Sequence, residues 1–209
     1  MKKIMDKLLS KIKLNKKIII FLITLSLVAL ISGSILVVLL DKSDKTIINT
    51  YLTDFINDLS NNKIEYMSVL KNSLISNISL ILIIWLLGIS VIGIPIVLFL
   101  HFSQIFTFGF CLASILLNYK LKGIILALIY TLPHYLILIF MLLILTSYSM
   151  ILSIKIIAAI LKKKQLDFKM IFHKYLYILI FSFVTVLICS LYETFAIPNI
   201  IKLIIPILN

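Results

Sequence analysis

Few side chains in this sequence have the chemistry for catalysis or metal binding. The three histidines are His101, His134 and His173, each more than thirty residues from the next. No histidine stands near a cysteine or a second histidine at the spacing of a metal site. The sequence also lacks a GxSxG serine motif and a glycine-rich phosphate loop. We therefore expect no enzyme activity, no metal and no cofactor.

Ionisable residues inside apolar runs are functional candidates by default, because a charge within a membrane is energetically expensive. His101, His134 and Glu193 meet this criterion. We expect His134 to hydrogen-bond to the carbonyls that Pro133 frees from the helical pattern. Glu193 follows Tyr175 by 18 residues and is a candidate interfacial carboxylate, which water or a lysine would stabilise.

The elements that carry these residues are membrane helices. The 209 residues are 62% hydrophobic and 13% charged, with a mean hydropathy of +1.20, whereas a soluble domain is about half apolar and about a quarter charged. The lipid bilayer is therefore the first expected partner. The net charge is +12, yet all 20 basic residues are lysines. Without the bidentate donors of arginine, we expect no nucleic-acid partner.

The lengths of the apolar runs predict an all-α fold, a polytopic membrane helix bundle with about five transmembrane helices. The runs are 18–40, 74–93, 96–117, 123–161 and 175–197. We interpret 123–161 as one long, kinked crossing, because a hairpin within it would leave a second leg too short to span. In a competing arrangement, 96–117 is re-entrant, 123–161 forms two legs, and Lys120 and Lys122 stay on the cytoplasmic side.

The distribution of lysines predicts the orientation of a single integral membrane domain over 1–209. Residues 1–17 carry seven lysines and one acid, which indicates a cytoplasmic basic arm and a cytoplasmic N-terminus. Residues 162–174 carry five lysines and one acid and form a cytoplasmic basic loop in the same interpretation. Residues 41–72, with four lysines and five acids, are then an extracytoplasmic loop.

The extracytoplasmic loop contains an amphipathic pattern. Apolar residues recur at steps of three and four between 48 and 59, which predicts an extracytoplasmic amphipathic helix. Its apolar face either lies on the bilayer or the bundle, or docks a partner protein. The candidate partner face consists of Tyr51, Leu52, Phe55, Ile56 and Leu59.

Glycine and proline mark two breaks in the apolar runs. Gly88 and Gly93 are five residues apart, so they do not form a GxxxG packing stripe. We expect the two glycines to narrow and end one transmembrane helix. Pro95 then starts the next helix, at a position where its missing N–H is tolerated. Pro133 and His134 mark the second break.

Several short motifs occur between residues 18 and 198. They are WLLGISVIGIP at 85–95, FGF at 108–110, KG at 122–123, LPH at 132–134, and LYETF at 191–195 followed by Pro198. In order and spacing these motifs resemble the stage II sporulation protein M family, SpoIIM. The plan of basic arm, anchor, outer loop, apolar block and basic inner loop is also similar to that family.

The resemblance implies a non-catalytic membrane scaffold of endospore formers. Such a scaffold anchors peptidoglycan-degrading partners, SpoIIP-like and SpoIID-like proteins, for septal wall thinning and forespore engulfment. It implies a multi-pass protein of the cell membrane, on the mother-cell side of the sporulation septum. The alternative from another class is a permease-like membrane subunit of an ATP-driven transporter, whose ATPase would contact the 162–174 loop.

Overall fold

The computed structural model describes residues 15–60, 65–162 and 168–201, and every regular element in these ranges is helical. Most of the predicted basic arm and residues 163–167 of the predicted basic loop lie outside the described residues. The helices are α1 (Lys16–Leu39), α2 (Lys42–Ser60), α3 (Tyr66–Gly88), α4 (Gly93–Leu126), α5 (Leu132–Lys162) and α6 (Phe168–Leu191). Two π-helical turns, Ala127–Thr131 and Tyr192–Ala196, precede α5 and follow α6.

Five of these segments are long and apolar enough to cross a membrane. They are Lys16–Leu39, Tyr66–Gly88, Gly93–Lys120, Leu132–Leu161 and Ile171–Ile201. The prediction of an all-α bundle with about five spans is confirmed. The competing arrangement is wrong about 123–161, because α5 continues through 146–149 without a hairpin. Helix α3 begins at Tyr66 and α6 at Phe168, within the segments 41–72 and 162–174, whose assignment as loops outside the membrane stays a prediction.

The chain reverses direction at Lys120, within the segment assigned to α4. Lys120 has φ 50° and ψ −127°, which are not helical angles. A Cβ built on Gly123 would lie 2.7 Å from the Ile115 carbonyl oxygen, although residues eight apart in a straight helix are separated by about 12 Å. Residues after Lys120 therefore fold back along α4 and lead through the first π turn into α5.

Helix α5 occupies the centre of the bundle. In an apolar 18-residue stretch of its span, 56% of the residues are buried, against 17% for α1 and 11% for α3. The main core cluster includes Met141 and Leu145 of α5 with Ile84 of α3, Val97 of α4 and Val186 of α6. Helices α1 and α3 therefore contain few fully buried residues and lie at the periphery of the bundle.

The bundle has two distinct ends. One end, which we call the turn end, contains the connection between α3 and α4 at residues 89–92. There the Ser153 hydroxyl of α5 donates to the Gly88 carbonyl oxygen at the end of α3. The opposite end, which we call the α2 end, carries α2 and the start of α3. There Tyr66 stacks on Phe195, with ring centroids 6.0 Å apart.

Candidate functional site

Helix α2 packs against the α2 end of the bundle. Leu52 contacts a buried cluster that includes Ile115 and Ile201. Near the start of the helix, the Lys45 ammonium donates to the Val38 carbonyl oxygen at 2.7 Å. A cation is favoured there because the last carbonyls of α1 carry partial negative charge. A cavity of about 280 Å³ remains between α1, α2 and α4.

A second face of α2 is exposed. Its members follow one another at steps of three and four residues, so they form one stripe along the helix. We call them the outer stripe: Asp44, Ile47, Tyr51, Asp54 and Asp58. Ile47 is 54% exposed and Tyr51 is 74% exposed. The outer stripe therefore combines large apolar side chains with three carboxylates.

The structure divides the candidate partner face between the two faces of α2. Tyr51 belongs to the outer stripe, and Phe55 beside it is 37% exposed. Leu52 packs on the bundle instead. The side chains of Ile56 and Leu59 lie outside the described residues. The sequence analysis missed Ile47 because this residue precedes the 48–59 pattern, although its four-residue spacing from Tyr51 was a usable signal.

The chain connects α3 to α4 through residues 89–92. Gly88 is the last residue of α3, Gly93 is the first of α4, and Pro95 lies in the first turn of α4. A Cβ on Gly93 would collide with the Leu87 carbonyl oxygen and lie 2.6 Å from the Leu87 carbonyl carbon. The turn at this point therefore requires a residue without a side chain.

Side chains of α5 and α6 satisfy the carbonyls at the end of α3. Ser153 Oγ donates to the Gly88 oxygen at 2.8 Å and to the Ser90 oxygen at 3.1 Å. The Tyr175 hydroxyl donates to the Trp85 oxygen at 2.9 Å. The last carbonyls of a helix lack intrahelical partners, and hydrocarbon offers no water to replace them. The sequence gave no signal for these long-range caps, because serine and tyrosine are ordinary residues of membrane helices.

Pro133 and His134 lie directly after the first π turn. Pro133 is the second residue of α5 and follows the π turn without a break in the helical backbone, so its missing N–H removes one backbone hydrogen bond there. His134 is buried, and its ring centroid lies 4.5 Å from that of Tyr135. The His134 carbonyl oxygen accepts a weak hydrogen bond from Cys189 Sγ at 3.9 Å. The proposed pairing of the imidazole with carbonyls freed by Pro133 stays a prediction.

Glu193 lies in the second π turn, at the α2 end of the bundle. Ser73 Oγ of α3 donates to Glu193 Oε2 at 2.7 Å and lies 3.0 Å from Ser190 Oγ. Asn77 Nδ2 donates to the Ser73 carbonyl oxygen at 2.9 Å. A serine of another helix therefore contacts this carboxylate, and this contact was not visible in the sequence because the two residues are 120 positions apart.

His101 joins three helices in the middle of the bundle. Its Nε2 lies 2.9 Å from Ser26 Oγ of α1, and its Nδ1 lies 3.2 Å from Thr146 Oγ1 of α5. The imidazole is fully buried. These contacts give His101 the role of a polar cross-link. Within residues 15–60, 65–162 and 168–201, no three His, Cys, Asp or Glu side chains are placed to hold a metal ion.

The comparison with protein-family models matches residues 18–198 to SpoIIM, stage II sporulation protein M. The chain belongs to the SpoIIM family. It is thus a multi-pass membrane protein of a sporulation family, and the family resemblance found in the sequence is confirmed. The searches of curated proteins and of solved structures give no match.

The motifs that carry the SpoIIM resemblance coincide with the irregular points of the fold. The 85–95 motif contains the turn between α3 and α4. Gly109 lies where α4 crosses α1, and Gly123 follows the reversal at Lys120. Pro133 and Glu193 lie at the two π turns. In this SpoIIM-family protein the recognisable residues are therefore those that end, kink or closely pack helices.

Proposed function

We propose that this SpoIIM-family protein is a non-catalytic membrane scaffold. It holds peptidoglycan-degrading proteins of the SpoIIP and SpoIID kind at the sporulation septum, on the mother-cell side, for septal wall thinning and forespore engulfment. Family membership supports the sporulation role. The observation that carries the scaffold role is the exposed outer stripe of α2.

The orientation of the bundle follows from its charges in this proposal. In the sequence, residues 1–17 lead into α1 and residues 155–174 connect α5 with α6, and together they contain 13 lysines and two acids. In the sequence, residues 41–72 connect α1 with α3 and residues 120–122 follow the span of α4, and together they contain six lysines and five acids. Because cytoplasmic segments carry the excess of lysine, the α2 end faces the cell wall. The outer stripe is then on the side where peptidoglycan-degrading partners act.

The composition of the outer stripe favours a protein partner over a lipid surface. A helix that lies on a membrane buries its apolar residues and places basic residues on its polar face. In α2, Asp54 and Asp58 share the stripe with Ile47 and Tyr51, so burial in anionic lipid would bring carboxylates to the headgroups. An exposed tyrosine beside an aliphatic residue is typical of a protein interface. The row of carboxylates along the same stripe favours a basic partner surface.

Introducing two lysines into the outer stripe tests this function. In the variant Ile47→Lys with Tyr51→Lys, we expect recovery of the wall-degrading partners from sporulating cells to fall at least about tenfold, since buried aromatic anchors at interfaces contribute about 2 kcal/mol or more. The matched control is Thr46→Lys with Thr50→Lys. These threonines are also exposed and four residues apart, but they lie outside the outer stripe.

The measurement is affinity purification from sporulating cells, with quantification of co-purified proteins and of the membrane-inserted scaffold. Equal recovery of partners by the two variants would contradict the docking role of the outer stripe. Recovery of an ATPase that depends on the 162–174 loop would instead support the permease-like alternative.

Single cysteines test the orientation independently of any partner. We expect Asn62→Cys and Lys120→Cys to react with a membrane-impermeant maleimide on intact cells, as does a cysteine added after Asn209. Lys163→Cys should react only after permeabilisation, because its loop is cytoplasmic. The background is low because Cys189 is buried and Cys111 is half-buried in the spans. The reverse labelling pattern would place the outer stripe in the cytoplasm and exclude wall-bound partners.

A further inference from the structure

The bundle contains a second cavity, unrelated to the outer stripe. It has a volume of about 330 Å³ and lies between α3, α4, α5 and the second π turn. Ser76 of α3 and Gln104 and Thr107 of α4 line it and are exposed on the side of the bundle. The cavity is therefore a groove that opens between α3 and α4 toward the surrounding lipid, and we call it the α3–α4 groove.

The α3–α4 groove extends from mid-membrane to the α2 end. Gln104 follows the start of α4 by 11 residues, about 17 Å of helix, in a hydrocarbon layer of about 30 Å. Glu193 follows Tyr175 by 18 residues, about 27 Å of helix, and Tyr175 lies at the turn end beside Trp85. The groove thus connects the bilayer centre to one interface.

The polarity of the groove changes along its length. Leu80, Met141 and Leu142 line it together with polar Ser73 and Glu193. Glu193 lies at the α2 end, Asn77 and Gln104 each lie 11 residues from the turn-end terminus of their helix, and Leu80 lies closer to the turn end. An occupant would therefore need a cationic group near Glu193, hydrogen-bond acceptors beside the deeper amides and an apolar part, and a phospholipid combines these three.

Two polar groups in the groove have unused hydrogen-bonding or charge capacity. The Gln104 side chain makes no hydrogen bond to any residue that the structure describes, although it is exposed at mid-membrane depth, where unsatisfied polar groups are costly. Glu193 accepts a hydrogen bond from Ser73. No lysine within the described ranges forms an ion pair with its carboxylate.

Both π turns of the described chain lie next to this groove. The first π turn leads directly into His134 and Tyr135, which line the groove, and the second contains Glu193. Single π-helical turns occur frequently at functional sites, because the extra residue redirects a side chain. The second π turn therefore places Glu193 in the cavity, and the first ends three residues before His134.

We propose that the α3–α4 groove binds a phospholipid with a primary ammonium headgroup, of the phosphatidylethanolamine class. The ammonium pairs with the Glu193 carboxylate, and the amides of Asn77 and Gln104 with the Tyr135 hydroxyl supply donors for phosphate and ester oxygens. A cavity of about 330 Å³ is near the lower size limit for enclosing a small organic molecule. It accommodates the headgroup, while the acyl chains leave through the opening between α3 and α4.

Thermal unfolding of the purified full-length protein in detergent tests the proposal. Phosphatidylethanolamine, phosphatidylcholine and phosphatidylglycerol with identical acyl chains are added separately. We expect phosphatidylethanolamine to raise the unfolding midpoint by about 5 °C at a concentration well above its dissociation constant. Phosphatidylcholine has no N–H donor on its ammonium and phosphatidylglycerol has no cation, so each should raise the midpoint by about 1 °C or less.

Variants separate groove binding from general lipid effects. Glu193→Gln keeps the side-chain volume and an acceptor for Ser73, and it should lose the phosphatidylethanolamine shift while its midpoint without lipid changes little. Gln104→Leu should reduce the shift by about half. Glu65→Gln is the matched control, because Glu65 is an exposed carboxylate at the start of α3 that bonds to Ser68; it should retain the full shift.

Three results would overturn the proposal. The first is an equal midpoint shift with all three lipids, which indicates a general bilayer effect. The second is a full shift in Glu193→Gln. The third is a full shift with free phosphoethanolamine, which would make the groove a site for a soluble amine. Native mass spectrometry gives a second measurement, in which wild type and Glu65→Gln retain bound phosphatidylethanolamine and Glu193→Gln does not.

Discussion

Replacing Gly33 with leucine is expected to destabilise the folded protein strongly. A Cβ on Gly33 would collide with the Phe106 carbonyl oxygen and lie 3.0 Å from Phe110 N. On the facing helix, a Cβ on Gly109 would collide with the Leu30 carbonyl oxygen. Helices α1 and α4 therefore approach each other backbone to backbone, and small residues make such contacts possible in membranes.

The size of the effect follows from the nature of the obstacle. Overpacking a core with a larger side chain costs about 1–3 kcal/mol when neighbouring side chains can move. At Gly33 the neighbours are backbone atoms, so the helices have to separate. That separation also breaks the hydrogen bond from Ser34 Oγ to the Gly109 oxygen at 3.2 Å. We expect the free energy of unfolding to fall by about 3 kcal/mol, which lowers the ratio of folded to unfolded protein more than about a hundredfold.

A second leucine variant in the same helix is the control. Thr24→Leu introduces the same side chain into α1 at an exposed position, and it should fold like wild type. Monodisperse protein in detergent and the thermal unfolding midpoint measure the outcome. A Gly33→Leu protein with wild-type yield and midpoint would show that α1 and α4 do not cross at these glycines.

The fold was largely predictable because membrane helices are identified by apolar length. Segments such as 18–40 and 74–93 lack charge for about twenty residues, and only helices satisfy their backbone in hydrocarbon. The close crossing of Gly33 on Gly109 was not predictable, because the partners are 76 residues apart. The four-residue spacing of Ala29 and Gly33, both buried, was the available signal for a packing stripe.

The candidate site was predictable only in part. Periodicity identified α2 and its apolar residues, but it could not tell which of them face the bundle. Leu52 and Tyr51 are adjacent in sequence, and only the position of the cluster around Ile115 directs Leu52 inward. The Ser73 contact of Glu193 and the cap that Ser153 provides depend on helix packing, for which a single sequence carries no pattern.

Gly88 provides the second strong test, because it combines a helix end with a close contact. A Cβ at this position would collide with the Tyr175 hydroxyl and with Ser149 Oγ, and it would lie 2.9 Å from Ser149 Cα. The Ser149 hydroxyl can rotate away, but the Tyr175 oxygen is fixed on a buried ring and the Ser149 backbone belongs to the central helix α5. From the sequence, Gly88 is expected to narrow and end one transmembrane helix of the bundle. The structure adds that α3 touches α5 and α6 there.

In Gly88→Leu we therefore expect α3 to separate from both neighbours at the turn end. The Trp85 and Tyr175 rings, now stacked with centroids 5.4 Å apart, would lose contact. The Gly88 and Ser90 carbonyls would lose the donor Ser153. A buried polar group left without a partner costs about 1–3 kcal/mol, so two such groups and the clash together destabilise the protein by at least about 3 kcal/mol.

Tryptophan fluorescence reports this change directly, because Trp85 is the only tryptophan in the chain. Gly88→Leu should alter the emission wavelength and intensity and lower the unfolding midpoint by several degrees. Ser79→Leu, at an exposed position of α3, should alter neither. Ser153→Ala removes the same donor without a clash, so it should lower the midpoint by a smaller amount and leave the emission close to wild type. If Gly88→Leu and Ser153→Ala instead produce equal destabilisation, the carbonyl caps rather than the close contact hold α3 in place.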